Sequence, residues 1–186
     1  SWNKVNSIFN VRFYAIDHID CSEIWIAGED GLTINTTDGG LTWNSYANST
    51  SRDLFSIDVV KNGDYRACGR SGVIIRSSDG GNTWIKENDT LGYELNNVDT
   101  KGIWGDAYAV GTNGIILETL NSGEDWIIKE SGTPWTLNDA TFQSLFDKVY
   151  AAGQYGIILR KEDETDAEFE IMNERFTHWI NSVECI

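Results

Sequence analysis

Proline is almost missing from this chain: Pro134 is the single one among 186 residues, against 18 glycines. Corners must therefore be turned by glycine and Asx-type residues, which fits short strands joined by tight hairpins better than helices. Basic residues are also scarce. Fourteen Lys and Arg face 29 Asp and Glu, a net charge of −15, and such a field repels phosphate backbones and anionic headgroups, which excludes nucleic acid and membrane surfaces as partners. No stretch approaches the roughly 18 unbroken apolar residues of a membrane helix; the longest, 149–159, is interrupted by Gly153, Gln154 and Gly156. There is no basic-then-apolar leader, and a chain that opens on Ser1 is expected to be a processed form or an excerpt of a longer polypeptide. Cysteine is limited to Cys21, Cys68 and Cys185, which cannot all pair and match no metal spacing. Cys68 stands where sister segments carry Ala or Val and reads as a buried free thiol. The two histidines, His18 and His178, are isolated, so no Ser–His–Asp or Cys–His arrangement can be built. No cofactor, metal or catalytic set is predicted. What the chain does have is aromatic bulk, including 8 Trp, and 40% hydrophobic residues, a globular composition.

Self-similarity organises the rest. Four copies align on Ile26-Ala27-Gly28, Ala67-Cys68-Gly69, Ala109-Val110-Gly111 and Ala151-Ala152-Gly153, the glycines 41, 42 and 42 residues apart. Each is followed three residues on by Gly31, Gly72, Gly114 or Gly156 and then by an apolar burst such as Val73-Ile74-Ile75. A second register lies upstream: Phe13-Tyr14-Ala15-Ile16, Leu54-Phe55-Ser56-Ile57, Leu95-Asn96-Asn97-Val98 and Leu137-Asn138-Asp139-Ala140, with Ile180-Asn181-Ser182-Val183 opening a further copy. Each unit holds four short segments. A period of about 40–45 residues with four strands per unit is the mark of a β-propeller blade, and the small residues at 27, 68, 110 and 152 suit a crowded place near an axis.

The predicted fold is therefore all-β: a single β-propeller over 1–186, with blades near 12–47, 53–88, 94–130 and 137–172 and a partial fifth from 1–6 and 179–186. A closed five-bladed ring would lack about two strands, so further residues or another chain are expected to complete it.

Two copies carry a near-identical turn, Thr36-Thr37-Asp38-Gly39-Gly40-Leu41-Thr42-Trp43 and Ser77-Ser78-Asp79-Gly80-Gly81-Asn82-Thr83-Trp84. In this Asp-box, Asp38 and Asp79 cap their own turn, Gly40 and Gly81 help supply positive φ, Thr42 and Thr83 add a hydroxyl, and Trp43 and Trp84 bury a ring on the outer strand. A hairpin clamp is the expected role. The third copy, with Asn121, Gly123, Asp125 and Trp126, reads as one that tolerates loss; the fourth, 162–166, reads as a solvated acidic loop without a calcium pattern.

The pattern running through 69–84 resembles the repeat of the photosystem II assembly and stability factor family, an Asp-box type found in many bacterial and archaeal proteins. The resemblance covers nearly the whole chain. It implies a propeller, often seven-bladed, in an exported or lumenal assembly scaffold whose partner binds an arginine-rich face; the seven arginines here form no such cluster. Sialidases, sortilin-type receptors and xyloglucan hydrolases share the motif, which thus reports fold more than activity.

With strands running outward from the axis, Asp-box turns gather at one end and two other loop sets form a crown at the opposite end. The crown candidates are Arg52, Arg70, Tyr93, Trp135, Tyr155 and His178, placed to grip a sugar or partner peptide, or else to pack blade on blade. No convergent arginine set or carboxylate pair for glycoside cleavage can be assigned. The predicted function is a non-enzymatic protein-interaction or assembly module at an extracellular, cell-surface, periplasmic or lumenal location. The alternatives are a carbohydrate-binding or vestigial glycosidase propeller, or a subunit of a surface assembly. Sequons begin at Asn35, Asn48 and Asn88.

Overall fold

The computed structural model describes residues 9–46, 48–89, 92–101, 105–143, 148–162, 168–173 and 178–183. They form four four-stranded antiparallel sheets, each a simple meander in chain order. The first contains β1 (Phe13–His18), β2 (Ile24–Gly28), β3 (Thr33–Thr36) and β4 (Asn44–Tyr46); the second β5 (Leu54–Val59), β6 (Tyr65–Gly69), β7 (Ile74–Ser77) and β8 (Ile85–Asn88). The third contains β9 (Leu95–Lys101), β10 (Asp106–Gly111), β11 (Ile116–Thr119) and β12 (Ile127–Lys129); the fourth β13 (Leu137–Gln143), β14 (Lys148–Gly153), β15 (Ile158–Lys161) and β16 (Glu170–Asn173). No helix among the described residues is long and apolar enough to cross a membrane. The proposed closing strand at 1–6, Cys185 and most of the acidic loop at 162–166 lie outside the described residues.

Burial follows position within a sheet. The second and third strands hold most of the core: β6 is buried throughout, and Val73, Ile74 and Ile75 are wholly inaccessible. Strands covered on both faces carry continuous apolar runs, whereas β2 and β15 alternate between buried and half-buried residues. Fourth strands are mostly exposed, with Ile85, Ile127 and Ile128 open to solvent. Cys68 is a buried free thiol, its pKa pushed up by burial.

The repeat glycine at the end of each second strand has an extended backbone at φ −164°, 178°, −171° and −170°, so conformational freedom is not its purpose. A Cβ at Gly28, Gly69, Gly111 or Gly153 would lie 2.3, 2.0, 1.8 or 2.1 Å from the carbonyl oxygen of Arg12, Asp53, Glu94 or Thr136. Only glycine lets the segment entering each first strand pass this closely.

The first strands lie side by side and are stitched together across sheets. Ser56 Oγ accepts the Val98 N–H (3.3 Å), Asn97 Oδ1 that of Ala140 (3.2 Å) and Asp139 Oδ2 that of Val183 (2.8 Å). Two residues further along, Asp17, Asp58 and Asp99 accept the N–H groups of Val59, Thr100 and Phe142 at 2.8, 2.8 and 2.6 Å. Partners are 42–44 residues apart, one repeat. A register shift at the start of each first strand displaces its second residue from the ladder, and a bulge of this kind re-aims the side chain. Asn96 and Asn138 use it to donate to the Leu137 and Ile180 carbonyls, both at 2.8 Å, and Tyr14 and Phe55 to form an edge-to-face pair. The segment 180–183 thus docks on the fourth sheet as each sheet docks on the one before.

Outside the first strands, each interface has its own chemistry. Between sheets one and two, Trp25 meets Tyr65 and Trp84, with ring centroids 5.3 and 6.1 Å apart, and Tyr65 donates to Glu23. Between two and three, the inaccessible Arg66, paired with Glu87 of its own sheet (3.3 Å), donates across to the Gly105 carbonyl (2.8 Å). Between three and four, buried Lys161 reaches Glu118 at 2.7 Å, and Lys129 pairs with the same carboxylate at 2.9 Å. Among the described residues, no strand ladder joins the first sheet to the fourth.

Candidate functional site

At one end of the arc, two loop sets meet. The second and third strands of each sheet are joined by a tight turn, 29–31, 70–72, 112–114 and 154–156, whose middle residue is left-handed: Asp30, Ser71, Asn113 and Tyr155 have φ of 55–58°. The segments entering the first strands come back over these turns. Arg52, Tyr93 and Trp135 each stand two residues before a first strand, and each approaches the turn of its own sheet. Arg52 Nη1 donates to the Ser71 carbonyl at 3.5 Å. Tyr93 and Asn113 border one cavity of about 330 Å³. The Trp135 and Tyr155 rings are 4.3 Å apart at 57°.

The six crown candidates therefore divide. Trp135 and Tyr155 are brought together and stay 43% and 49% exposed. Tyr93 is half-buried and packs against a core that includes Leu95 and Ile115. Arg70 pairs with Asp53 at 2.8 Å and lies 5.8 Å from the Phe55 ring centre, held to its own sheet. His178 fills the slot two residues ahead of Ile180 and is exposed.

The opposite end carries the Asp-box turns. Asp38 Oδ1 accepts the Thr42 N–H (2.9 Å) and Oδ2 the Thr42 hydroxyl (2.7 Å); Asp79 and Thr83 repeat the pattern at 2.8 and 2.7 Å. The Thr42 hydroxyl, then its N–H, holds Asp38 down to about 2, and the N–H of Thr83, then its hydroxyl, lowers Asp79. Thr36 and Ser77 anchor the turns, each accepting from a glycine N–H, Gly40 or Gly81, at 2.8 Å. The tryptophans precede the outer strands and do not lie along them. Trp84 donates to its own Gly81 carbonyl, but Trp126 donates to Glu87 of the preceding sheet at 3.1 Å. A Cβ on Gly81 would stand 2.0 Å from the Trp25 ring and one on Gly123 1.9 Å from Glu87, so these turns also seat one blade on the last. Trp43 is half-buried beside Gly40.

The third copy keeps its clamp with the polarity reversed. Asn121 Oδ1 accepts the Asp125 N–H, while Asn121 Nδ2 donates to Asp125 Oδ2, both at 3.0 Å. Carboxylate and donor have exchanged sides. Asn121→Asp alone is expected to set two carboxylates in contact and destabilise the turn by about 1 kcal/mol or more; adding Asp125→Thr is expected to restore it, by comparison of urea midpoints. In the fourth copy Lys161 occupies the anchor position of Thr36, Ser77 and Thr119, and its ammonium goes instead to Glu118 of the third sheet.

A feature that sequence reading missed lies where the first strands converge. Asp17, Asp58, Asp99, Asn97 and Thr141 border a cavity of about 390 Å³. Burial is the main reason Asp58 is pushed up to about 6, with Asp17 adding repulsion; burial and then Asp58 push Asp99 up to about 8. The signal was an acidic residue one place after Ile16, Ile57 and Val98. Each of these carboxylates already receives a backbone N–H, and among the described residues no group of three His, Cys, Asp or Glu is arranged to hold a metal ion.

Two sequons are committed to the fold. Asn35 is 4% exposed and accepts from Tyr46, and Asn48 donates its amide to the Gly31 carbonyl. Sugar attachment at either would cost those contacts.

Outward meanders stitched through their first strands define a β-propeller, here an arc of it. No protein-family model and no curated protein matches the chain. Among solved structures it is similar to YCF48 from Cyanidioschyzon merolae, with a TM-score of 0.72 and 20% identity over 100% of this chain and 63% of that one. It is also similar to YCF48 bound to D1 peptide, with a TM-score of 0.66 and 19% identity over 88% and 55% of the two chains. An ancestral GH74 enzyme aligns at 0.69 and 13% identity, over 90% of this chain and 25% of its own. These likenesses establish the fold; the chain spans about three-fifths of the YCF48 chains.

Proposed function

We propose that this propeller is a non-enzymatic interaction module that docks a protein partner on its loop crown and acts in an exported, cell-surface or lumenal setting. The convergence of two loop sets at Trp135 and Tyr155 supports this most directly, because it leaves two large rings, 43% and 49% exposed, side by side on a rigid frame. The similar YCF48 structure with a D1 peptide bound supports a polypeptide ligand. Acidic composition and Asp-box repeats support export. The two exposed rings and the likeness to a GH74 enzyme give carbohydrate recognition as the second reading.

Partner capture by the intact chain is compared with capture by Trp135→Ala/Tyr155→Ala and by Leu41→Ala/Leu120→Ala at the Asp-box end, alongside sialidase and xyloglucan-hydrolysis assays. The proposal expects one protein to be lost with the crown variant only. Sugar turnover abolished by changing a single carboxylate would overturn it.

A further inference from the structure

Tyr155 stands in a backbone conformation that suits small or Asx residues. Its φ of 57° and ψ of 22° match those of Asp30, Ser71 and Asn113 in the sister turns. A bulky residue there is strained. Nothing in the core rewards that strain, since the ring is half exposed and its aromatic neighbour is the equally exposed Trp135. Trp135 follows Pro134, which helps to wall the 330 Å³ cavity of the third sheet. Ile115 and Ile128 give that cavity an apolar lining, Tyr93 an aromatic side, and Glu130 a carboxylate. The ammonium of Lys129, which also borders it, is already engaged by Glu118. A mixed cavity, with two isoleucines and a ring among polar residues and Glu130 at its border, is matched by a side chain with a long hydrocarbon stem and a cationic tip.

Charge points the same way. The chain carries −15 overall, a field that draws cationic ligands towards exposed rings. The fold already sets cations over rings: Lys101 lies 4.6 Å from the Phe142 centre and Lys161 5.6 Å from that of Tyr108.

Resting on the interaction-module reading, we propose that the crown of the third and fourth sheets receives a lysine- or arginine-bearing segment of a partner protein. One cationic side chain enters the cavity beside Tyr93 and Glu130, and the adjoining residue lies on the Trp135–Tyr155 pair. A neutral saccharide would stack on the rings and donate hydroxyls to the carboxylate, but it would carry no charge for that carboxylate to neutralise.

The test is calorimetric titration of the intact chain with tetralysine, tetraglutamate and cellotetraose at about 0.15 M salt, where exposed charges are screened beyond roughly 8 Å. Variants are Glu130→Gln, Tyr155→Gly, which suits the left-handed position and should keep or raise the urea midpoint, and Glu124→Gln, an exposed carboxylate at the far end. Tetralysine is expected to bind, about tenfold more weakly to Tyr155→Gly, several-fold more weakly to Glu130→Gln and unchanged to Glu124→Gln. Equal effects of Glu130→Gln and Glu124→Gln would show general attraction by the acidic chain and overturn the inference. Cellotetraose binding lost in Tyr155→Gly, without tetralysine binding, would also overturn it in favour of a saccharide. Failure with tetralysine while partner capture still depends on Trp135 and Tyr155 removes the cationic chemistry alone. Loss of both dependences removes the docking reading too.

Discussion

Glu118→Ala is expected to be among the most destabilising single substitutions in the chain. Glu118 is 2% exposed and accepts from Lys161, Lys129 and Tyr108, while Lys161 is itself 1% exposed. Burial alone would raise the Glu118 pKa, but hydrogen bonds from Lys161, Tyr108 and Lys129 bring it below the ordinary range. Removing the carboxylate leaves the buried Lys161 ammonium without its counter-ion, which costs about 3–5 kcal/mol when one partner of a buried pair is deleted. The loss should appear as a lower urea midpoint with uncoupling of the fourth sheet from the third. Glu118→Leu with Lys161→Met, which removes both charges and keeps volume, is expected to recover most of it. Equal loss in the single and double variants would show that packing, and not charge, carries this interface.

Stability is expected to fall as pH rises from about 4 to 8. Asp58 and Asp99 have folded-state values raised to about 6 and about 8, from an ordinary 3.8. Over that window the folded chain holds protons that the unfolded chain has released, so deprotonation favours unfolding. The groups facing Asp58 are Asp17, Thr100 and Arg66; those facing Asp99 are Asp58, Asp139, Thr141 and the Phe142 N–H. Lowered carboxylates act oppositely. Asp38, at about 2, together with Asp79 and Glu118, stabilises above the ordinary carboxylate range, a contribution lost as pH falls through their folded values. The optimum should therefore lie near pH 4–5, with stability declining from there towards pH 8. Asp58→Asn/Asp99→Asn should flatten that decline when urea midpoints are followed against pH. An unchanged slope in this variant would remove the axial carboxylates from the account.

What recurs locally was legible in the sequence. The glycines at 28, 69, 111 and 153, the turns after them and the Thr/Ser-Asp-Gly-Gly hairpins act within one repeat or its immediate entry, so four copies of one pattern expose their constraint. The joins between sheets were not legible, because they use slots that differ from copy to copy. Trp25, Arg66 and Tyr108 share one place in the second strand, yet their partners lie on a neighbouring sheet. Ser56, Asn97 and Asp139 have three different side chains but do the same task, accepting an N–H from the segment one repeat further on. Copy-to-copy difference was also misleading where compensation was at work. Asn121 and Asp125 look like erosion of the Asp-box but exchange donor and acceptor, and Lys161 looks like loss of an anchor but supplies a cross-sheet ion pair. Crown placement followed from strand count alone. Which rings would meet there depended on Tyr155 taking a left-handed backbone, which residue type argues against.

The central claim is that successive sheets stack through side chains of one first strand gripping the backbone of the next. Amide hydrogen exchange resolved by residue tests it in the intact chain, comparing the parent with Asp58→Ala. The account predicts strong protection at Val59, Thr100 and Phe142 in the parent, with the substitution accelerating exchange most at Thr100 while Val59 and Phe142 keep their protection. Rapid exchange of these amides in the parent, or an Asp58→Ala change that leaves Thr100 as protected as before, would contradict it.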